Sequence, residues 1–590
     1  MLYNNRYRPA FATAGQASST QRNAQSDGIL FNAASESEDF NSFSSSPKTG
    51  APKRPAPKKK KPAGKTFELD LKKLLVIAAS VAAFILVVVI AVLVATSSGG
   101  TLKAEDNTFT SYEVDGKFYI AMNGTTVGEG FDNELTLVPA IDNSFAYVVE
   151  DTPDGYNIYL LEKKELISIV AAPVQGIVAL ADYEPGVVYK DNDAYYFYSD
   201  ETEERITKDP TAGNFVIAPD ASVVSYTLAK KENANEFKLY LYANGSSESY
   251  ATNKIPVAVS SKGKYIYAYD TIAQESADGS TVATAKLYLI MPSEGESVTV
   301  ATGFDKLTYM TLKGDEIVYT LKNDAGVQSH IYRAKKNESF KIGTGECKPM
   351  IADSSVALLS TLKDTVFESS ITPAPDAERK FTAATYYVNK NYDSSLLANY
   401  KGKLNSDGDV FYFINNEMTL KYIDLGDKTK TAQKVSDFVE DFVITEKGNI
   451  YFLDDEDNLM FFKSSTAKKK RIAHDVELIS INEYANVLYF AKDDDTKAYE
   501  TEEGSAPEIT KFDRTEIVSA PFYTDNGQKR TFAYIYNVTT GNFELYYTST
   551  GKSYKLIATG CYTDDLDFEY IEDILGGGEE EVVGGEEAAE

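Results

Sequence analysis

The chain has 590 residues, with 88 Asp and Glu against 59 Lys and Arg, which gives a net charge of −29 at pH 7. Such a surplus of negative charge argues against nucleic acid as a partner, because phosphate groups would be repelled. Only two cysteines, Cys347 and Cys561, are present. A eukaryotic secreted domain of this size would carry more disulfides, so the composition favours a bacterial surface protein.

Residues 1–73 form the first predicted region. They are rich in Ser, Ala, Asn, Pro and Lys and show no sustained apolar period, which predicts a disordered arm. The arm holds 13 Lys and Arg against 6 Asp and Glu, a net charge of +7, so everything that follows carries −36. We therefore expect a short basic arm followed by a large acidic region.

Residues 74–95 form the second region. Leu74–Ala95 contains no charged residue, and its 22 residues exceed the roughly 20 that a transmembrane helix needs. The lysines that precede it, including Lys72 and Lys73, predict a cytoplasmic N-terminus and an extracytoplasmic C-terminal domain. A buried core helix and a cleaved signal peptide are the alternatives, and an uncleaved single-pass anchor fits the length and position best.

Residues 96–109 are assigned as a linker, and strands are predicted from there to about residue 570. Short alternating runs of Tyr, Val, Ile and Phe end at Gly, Asp, Asn or Ser, which is typical of strands joined by turns. The runs come in hairpin-like pairs, such as Ile450–Leu453 followed by Leu459–Lys463. We therefore expect an all-β domain.

A short apolar step recurs between these pairs, and it defines a repeat. Examples are Ile342-Gly-Thr-Gly-Glu346 and Ile557-Ala-Thr-Gly-Cys561. The mean interval is 43 residues if the long interval between Ile342 and Val435 is counted as two. A period of about 40–45 residues with four strands per unit predicts the blades of a β-propeller.

The repeated unit xxVxYx…xLYxx…xIAxG resembles that of bacterial propellers of the TolB-like and WD40-like superfamily, over residues 110–570. The resemblance concerns the architecture and assigns no functional residue. The recurring steps themselves predict an array of about ten four-stranded repeats. Two tandem lobes, at 110–345 and 346–570, fit the spacing, and one large propeller or another β architecture remains open. Residues 571–590 are expected to be a disordered acidic tail.

Few residues suggest chemistry. The two histidines, His330 and His474, lie in or beside strands and have no zinc-type partners nearby in the sequence. Asn405, Asp407 and Asp409 have the spacing of the start of a calcium-binding loop, but the expected Glu is replaced by Asn416, so they are only weak metal candidates. No cofactor is predicted. Cys347 and Cys561 occupy similar places in two repeats, which suggests a disulfide that closes the second lobe.

These observations predict a membrane-anchored, extracytoplasmic propeller that binds a protein or glycan partner at a bacterial cell envelope. Because no catalytic motif is found, we expect that the chain is not an enzyme. A carboxylate-based cell-surface hydrolase, similar to a glycosidase, is one alternative, since acidic residues are abundant. A transmembrane sensor that signals through the Ser-rich arm is another.

Overall fold

A computed structural model describes residues 101–102, 107–230, 233–275, 281–311, 313–323, 326–350, 358–371, 382–405, 407–445, 447–482, 487–492, 498–510, 522–523, 530–537, 539–550 and 553–561. The basic arm, the span Leu74–Ala95 and the acidic tail lie outside these residues. Within the described ranges, no helix is long and apolar enough to cross a membrane. The anchor and its orientation therefore stay predictions.

The regular secondary structure of the described residues consists of β-strands, apart from two short 3-10 turns at Ser261–Gly263 and Ser464–Thr466. The first strands are β1 (Thr101–Leu102), β2 (Phe109–Val114), β3 (Lys117–Met122), β4 (Thr125–Phe131), β5 (Leu135–Pro139), β6 (Ala146–Thr152), β7 (Gly155–Glu162), β8 (Glu165–Ser168), β9 (Gly176–Leu180), β10 (Gly186–Asp191), β11 (Ala194–Ser199), β12 (Thr202–Thr207), β13 (Gly213–Ile217), β14 (Val224–Lys230), β15 (Asn233–Ala243) and β16 (Ser246–Thr252).

The middle of the chain continues the same pattern of short strands joined by tight turns. These strands are β17 (Ile255–Val259), β18 (Ile266–Glu275), β19 (Thr281–Met291), β20 (Glu296–Thr302), β21 (Phe304–Met310), β22 (Glu316–Asn323), β23 (Gly326–Arg333), β24 (Glu338–Thr344), β25 (Glu346–Pro349), β26 (Leu358–Leu359), β27 (Thr365–Ser370), β28 (Ala383–Val388) and β29 (Ser394–Ala398).

The last third repeats it again. Its strands are β30 (Gly402–Leu404), β31 (Val410–Ile414), β32 (Leu420–Asp424), β33 (Gln433–Ser436), β34 (Phe442–Ile444), β35 (Ile450–Leu453), β36 (Leu459–Lys463), β37 (Lys468–Ala473), β38 (Val476–Asn482), β39 (Val487–Lys492), β40 (Ala498–Glu502), β41 (Glu508–Ile509), β42 (Phe522–Tyr523), β43 (Thr531–Asn537), β44 (Asn542–Thr548) and β45 (Tyr554–Cys561).

The strands form eleven antiparallel sheets within the described residues, each built from neighbours in sequence. We call them blades 1 to 11 in chain order. Blade 1 is β2–β3–β4, and blades 2 to 6 contain four strands each, from β5 to β24. Blade 7 is β25–β27–β28–β29, and blades 8 to 11 take four strands each from β30 to β45. Separately, β1 pairs with β26. The repeat count expected from the sequence, about ten, is corrected to eleven.

Buried apolar side chains join each blade to the next, because a sheet with two apolar faces must be covered on both. Between blades 4 and 5, side chains of the third strand β15 pack against the first and second strands of the following blade. The residues in this interface are Leu239 and Leu241 on β15, Val259 on β17, and Ile266 and Ala268 on β18. A core of the same kind lies at every other interface between consecutive blades.

The ring is closed by a further core between the last and first blades. Phe543 and Leu545 of β44 share it with Tyr112 of β2 and Ala121 of β3. Lys555 donates a hydrogen bond to the carbonyl oxygen of Gly124 at 2.6 Å across the same interface. The sequence suggested a boundary between two lobes at residues 345 and 346. A buried core contains residues from both sides of that boundary, so the chain continues there without a break between lobes. The described residues thus form one large propeller, which is one of the arrangements that the sequence left open.

At least one buried aromatic residue occupies the second strand of every blade, if β2 is taken as the second strand of blade 1. These residues include Tyr112, Tyr147, Tyr189, Tyr226, Tyr267, Tyr319, Phe367, Tyr412, Tyr451, Tyr489 and Tyr534. Several of the hydroxyl groups hydrogen-bond to the next blade. Tyr267 donates to the carbonyl oxygen of Gly314 at 2.6 Å, and Tyr412 donates to that of Gly448 at 3.1 Å. These bonds hold successive blades in register.

Replacing one of these tyrosines tests the contact. Tyr267→Phe removes the hydroxyl and leaves the buried carbonyl of Gly314 without this partner, so we expect a loss of about 1–3 kcal/mol in the free energy of unfolding. Urea denaturation followed by circular dichroism measures it. Tyr250→Phe is the matched control, since its hydroxyl bonds an exposed Glu248 and should change stability by less than about 0.5 kcal/mol. Equal effects of the two variants would contradict the prediction.

Candidate functional site

The propeller has two faces, one at each end of the strands, and the turns between strands lie on these two faces. In a four-stranded antiparallel meander, the turns after the first and third strands share one end, and the turn after the second strand lies at the other. We call the end with the first and third turns the first-turn end. Because consecutive blades repeat the same strand order, their first turns lie side by side around the ring.

Three consecutive first turns carry acidic residues. Asp142 lies between β5 and β6 of blade 2, Glu184 between β9 and β10 of blade 3, and Asp220 between β13 and β14 of blade 4. We call these three residues the Glu184 cluster. Among the described residues, Glu184 is the one carboxyl whose pKa is raised by carboxylates on other blades.

Hydrogen bonds within each turn fix the flanking carboxylates. Asp142 accepts bonds from the backbone nitrogen of Ser144 at 3.0 Å and from its hydroxyl at 2.6 Å. Asp220 accepts the equivalent bonds from Ser222 at 3.3 and 2.5 Å. Both are turns in which an Asp side chain bonds the backbone two residues on, a conformation that suits the sequence Asp-x-Ser.

Backbone hydrogen bonds also link each of these turns to the next. Ile141 donates to the carbonyl of Asp182 at 2.7 Å, and Glu184 donates to the carbonyl of Pro219 at 3.2 Å. Lys262, in blade 5, donates its backbone hydrogen to the hydroxyl of Ser222 at 2.9 Å. The carboxylates of the Glu184 cluster are therefore held on one continuous backbone network.

The environment of Glu184 changes its acidity. Desolvation by the surrounding chain raises its pKa, and repulsion from Asp142, Asp200 and Asp220 raises it further. The residue as a whole is solvent-exposed, so the carboxyl can still meet a ligand. A carboxyl with a raised pKa can keep its proton at a pH where ordinary carboxyls have lost theirs, and can then donate a hydrogen bond or a proton. In the part of the chain that is described, no group of three or more His, Cys, Asp and Glu residues is arranged to hold a metal ion.

The sequence-based metal candidates lie in the first turn of blade 8. The side-chain nitrogen of Asn405 donates to Asp409 at 2.6 Å, and its side-chain oxygen accepts from the backbone nitrogens of Asp409 and Val410 at 3.0 and 2.9 Å. Asp407 is exposed and takes no part in these three hydrogen bonds. The structure brings Asn405 and Asp409 together in a turn that is closed by hydrogen bonds between them, and their role as weak metal candidates stays a prediction.

The two cysteines lie in different interfaces. Cys347 belongs to the core between blades 6 and 7, and Cys561 to the core between blades 11 and 1. Both are buried free thiols, so the disulfide expected from the sequence is corrected. Its premise was that blade 7 begins a second ring, whereas blades 7 to 11 continue a single one.

The histidines are also separate from the Glu184 cluster. His330 stacks on Tyr319 with ring centroids 5.6 Å apart, and burial together with Lys341 lowers its pKa. His474 is exposed and contacts Asp475. Neither lies in a first turn, so neither can serve as a base beside Glu184.

Sequence reasoning missed the Glu184 cluster, although a signal for two of its members was present. The pattern Ala-x-Asp-x-Ser occurs at equivalent positions of two repeats, in Ala140-Ile-Asp-Asn-Ser144 and in Ala218-Pro-Asp-Ala-Ser222. The pattern marks equivalent first turns. Glu184 itself lies in a differently built turn, Asp182-Tyr-Glu-Pro185, and no spacing in the sequence predicts that the charges of the other two act on it.

The fold and its ring closure define the chain as a β-propeller. No protein-family model and no curated protein sequence matches it. Similar solved structures include the tricorn protease, with 12% identity, a TM-score of 0.22 and coverage of 63% of this chain and 48% of that one. They also include Porphyromonas gingivalis dipeptidyl peptidase 4, with 9% identity, a TM-score of 0.34 and coverage of 61% and 65%.

TolB from Acinetobacter baumannii is a third, with 12% identity, a TM-score of 0.19 and coverage of 54% of this chain and 77% of that one. The first two matches span less than two thirds of the proteases' own chains. Identities this low show the fold alone.

The expectation that the chain is not an enzyme is corrected here. Two of these three structures are peptidases, so the fold is shared with enzymes and does not argue against catalysis. The alternative of a carboxylate-based hydrolase is not favoured by the matches. No activity of these proteins is assigned to this chain.

The raised pKa of Glu184 predicts a pH-dependent stability effect. Its ionised form is disfavoured in the folded state, so its contribution to stability is fully present below the pKa of the unfolded chain and is lost as the pH rises through the higher folded pKa. Glu184→Gln should therefore raise the melting temperature at pH 7.5 and give no gain at pH 4. Thermal unfolding by circular dichroism at both pH values measures this.

The matched control is Glu165→Gln, on the exposed outer strand β8 and outside the Glu184 cluster. It should leave the melting temperature unchanged at both pH values. A stabilisation by Glu184→Gln that persists at pH 4 would show that the effect is not electrostatic.

The buried thiols predict low reactivity. Burial raises the pKa of both Cys347 and Cys561 to about 11, so little thiolate is present at pH 8. A chromogenic disulfide reagent should find no fast-reacting thiol in the native chain and two after denaturation without reductant. One disulfide-linked peptide pair in a non-reduced digest would contradict this.

Proposed function

We propose that the chain is a single-pass, membrane-anchored protein of a bacterial cell envelope, with a propeller outside the membrane that binds a protein or glycan partner. The apolar segment Leu74–Ala95 and the basic residues before it support the anchor and its orientation. Exposed positive charge on one blade of the propeller supports the binding surface.

The observation that carries the binding proposal is the outer strand of blade 9. β37 starts with four successive cations, Lys468, Lys469, Lys470 and Arg471, all exposed. The outer strand of blade 3, β12, instead carries the exposed acids Glu203 and Glu204. The chain has a net charge of −29, so a run of four cations is a local reversal of its field.

Two of these cations are engaged within the protein. Lys469 donates to the hydroxyl of Ser436 in blade 8 at 3.3 Å, and Lys470 donates to the carbonyl of Gly504 in blade 10 at 2.8 Å. β37 is therefore held by both neighbouring blades. Lysines on an edge strand also prevent edge-to-edge aggregation, so some of this charge serves solubility. A fixed, exposed cationic strand suits an anionic glycan or an acidic segment of a protein.

The test uses the full-length chain in lipid nanodiscs and an immobilised anionic polysaccharide, with a neutral polysaccharide of the same length for comparison. We expect retention on the anionic polymer that weakens as salt is added. Lys468→Gln with Arg471→Gln should reduce the affinity about tenfold, since both exposed charges are lost.

The matched control is Lys163→Gln with Lys164→Gln, which removes two exposed cations from the third turn of blade 2. It should bind like the unmodified chain. Equal losses in the two double variants would show that only net charge matters, and no retention of the unmodified chain would overturn the assignment of an anionic partner.

A further inference from the structure

Two exposed apolar side chains lie in loops of blade 8, at the end of the strands opposite to the first-turn end. Met418 lies in the turn between β31 and β32, and Phe438 lies in the connection from β33 to β34. Met418 is 39% exposed and Phe438 is 55% exposed. The backbone nitrogen of Val439 donates to the carbonyl oxygen of Met418 at 2.8 Å, so the two loops are joined. We call Met418 and Phe438 the apolar pair.

The backbone of the apolar pair does not suit large side chains. Met418 and Phe438 both have a φ of 56°. Gly, Asn and Asp adopt this left-handed conformation readily, whereas it is unfavourable for a bulky apolar residue. Among the exposed large apolar side chains of the described ranges, only these two have a positive φ. Neither burial nor local backbone preference therefore explains why Met and Phe stand at these positions.

Blade 9 shows how the same two loops are built without apolar residues. In its second turn, Asp457 takes the place of Met418, and Val476 donates to the carbonyl oxygen of Asp457 at 3.0 Å. In the connection that follows, Asp475 takes the place of Phe438, one residue before Val476. Asp457 and Asp475 have φ of 54° and 53°. The backbone of these loops thus forms with Asp, and Met and Phe are not needed to build it.

The loops around the apolar pair are strongly acidic. The second turns and outer connections of blades 8 and 9 hold nine Asp and Glu and no Lys or Arg. These loops are residues 415–419, 437–441, 454–458 and 474–475. Asp437 is paired with Lys434 on β33, and most of the other acids are exposed. Anionic lipid or nucleic acid would be repelled here, whereas a cationic ligand is complementary to the surface.

An exposed apolar centre within a charged rim is typical of a surface that binds a protein, and strained residues are retained where function requires them. We propose that the apolar pair anchors a protein partner through a cationic segment that also carries an apolar side chain. The apolar contact holds the segment, and the acidic loops attract its cations. This surface is separate from the cations of β37 and takes a partner of the opposite charge.

The binding test uses the full-length chain in nanodiscs and a synthetic peptide in which lysines flank two leucines. The comparison peptide has serine in place of both leucines. Fluorescence anisotropy should show that the leucine peptide binds about tenfold more tightly, because only it can bury apolar area against the pair. Added salt should weaken the binding of both peptides. Absence of binding by either peptide would overturn the assignment of a cationic segment.

Met418→Asn with Phe438→Asn removes the apolar pair and introduces residues that suit a positive φ. The affinity for the leucine peptide should fall about tenfold, to that of the serine peptide, while the melting temperature stays the same or rises. Ile167→Thr with Leu556→Thr is the matched control, since it removes two apolar side chains of similar exposure from outer strands. Unchanged affinity in the Asn variant, or an equal loss in the control, would overturn the proposal.

A second measurement locates the peptide on the unmodified chain. Oxidation of Met418 by hydrogen peroxide, followed by mass spectrometry, should slow severalfold when the leucine peptide is bound, while the oxidation of Met291 in blade 5 stays the same. Equal rates at Met418 with and without the peptide would contradict binding at the pair.

Two other occupants are distinguished by the same variants. A peptide of residues 47–65 has the cations of the basic arm and no large apolar side chain. If it binds as tightly as the leucine peptide and needs the apolar pair, the chain's own arm is the occupant. If the unmodified chain self-associates and the Asn variant does not, the occupant is a second copy. Either result would overturn the assignment of a separate protein partner.

Discussion

The packing of one sheet face against the next is the interaction on which the whole ring depends. A single blade has two apolar faces and cannot bury either alone, so each is stable only between two neighbours. The hydroxyl groups of several buried tyrosines add hydrogen bonds with a defined geometry to this apolar contact. The hydroxyl of Tyr147 donates to the carbonyl of Ala181 at 2.9 Å and accepts from the backbone nitrogen of Gly186 at 2.8 Å, both in blade 3. Apolar packing alone would tolerate sliding between blades, and these bonds fix the relative height of neighbouring sheets.

Much of the fold could be predicted from the sequence, because strand periodicity and turn residues act locally. Ile450–Leu453 and Leu459–Lys463 were expected as a hairpin, and they are β35 and β36. The blade count was harder, because counting intervals between steps gives one fewer than the number of blades. One step was also blurred: β29 ends in Leu-Leu-Ala398, without the Ile-x-x-Gly pattern of other blades.

The candidate site was less predictable, because it depends on which blades are neighbours. Local spacing in the sequence suggested a site at Asn405, Asp407 and Asp409. In the structure, these residues belong to a single turn of one blade. The pKa of Glu184 depends on Asp142 and Asp220, which lie about forty residues away on either side in the sequence. Their charges act on Glu184 only because the ring places first turns side by side. The expected disulfide between the two thiols is wrong for the same reason. Equivalent positions in two repeats are adjacent only if those two repeats are neighbours in the ring, and the thiols lie in two separate cores.

The chain has 41 tyrosines and no tryptophan. Burial raises the pKa of Tyr309 and Tyr332 to about 12, and that of Tyr267 well above its usual value. Phenolate absorbs at longer wavelength than phenol. Exposed side chains would therefore ionise first in alkali, while buried tyrosines such as these three stay neutral. The ring thus carries its own optical label: ultraviolet absorbance in alkaline solution distinguishes tyrosines between blades from those on the surface, without any added dye.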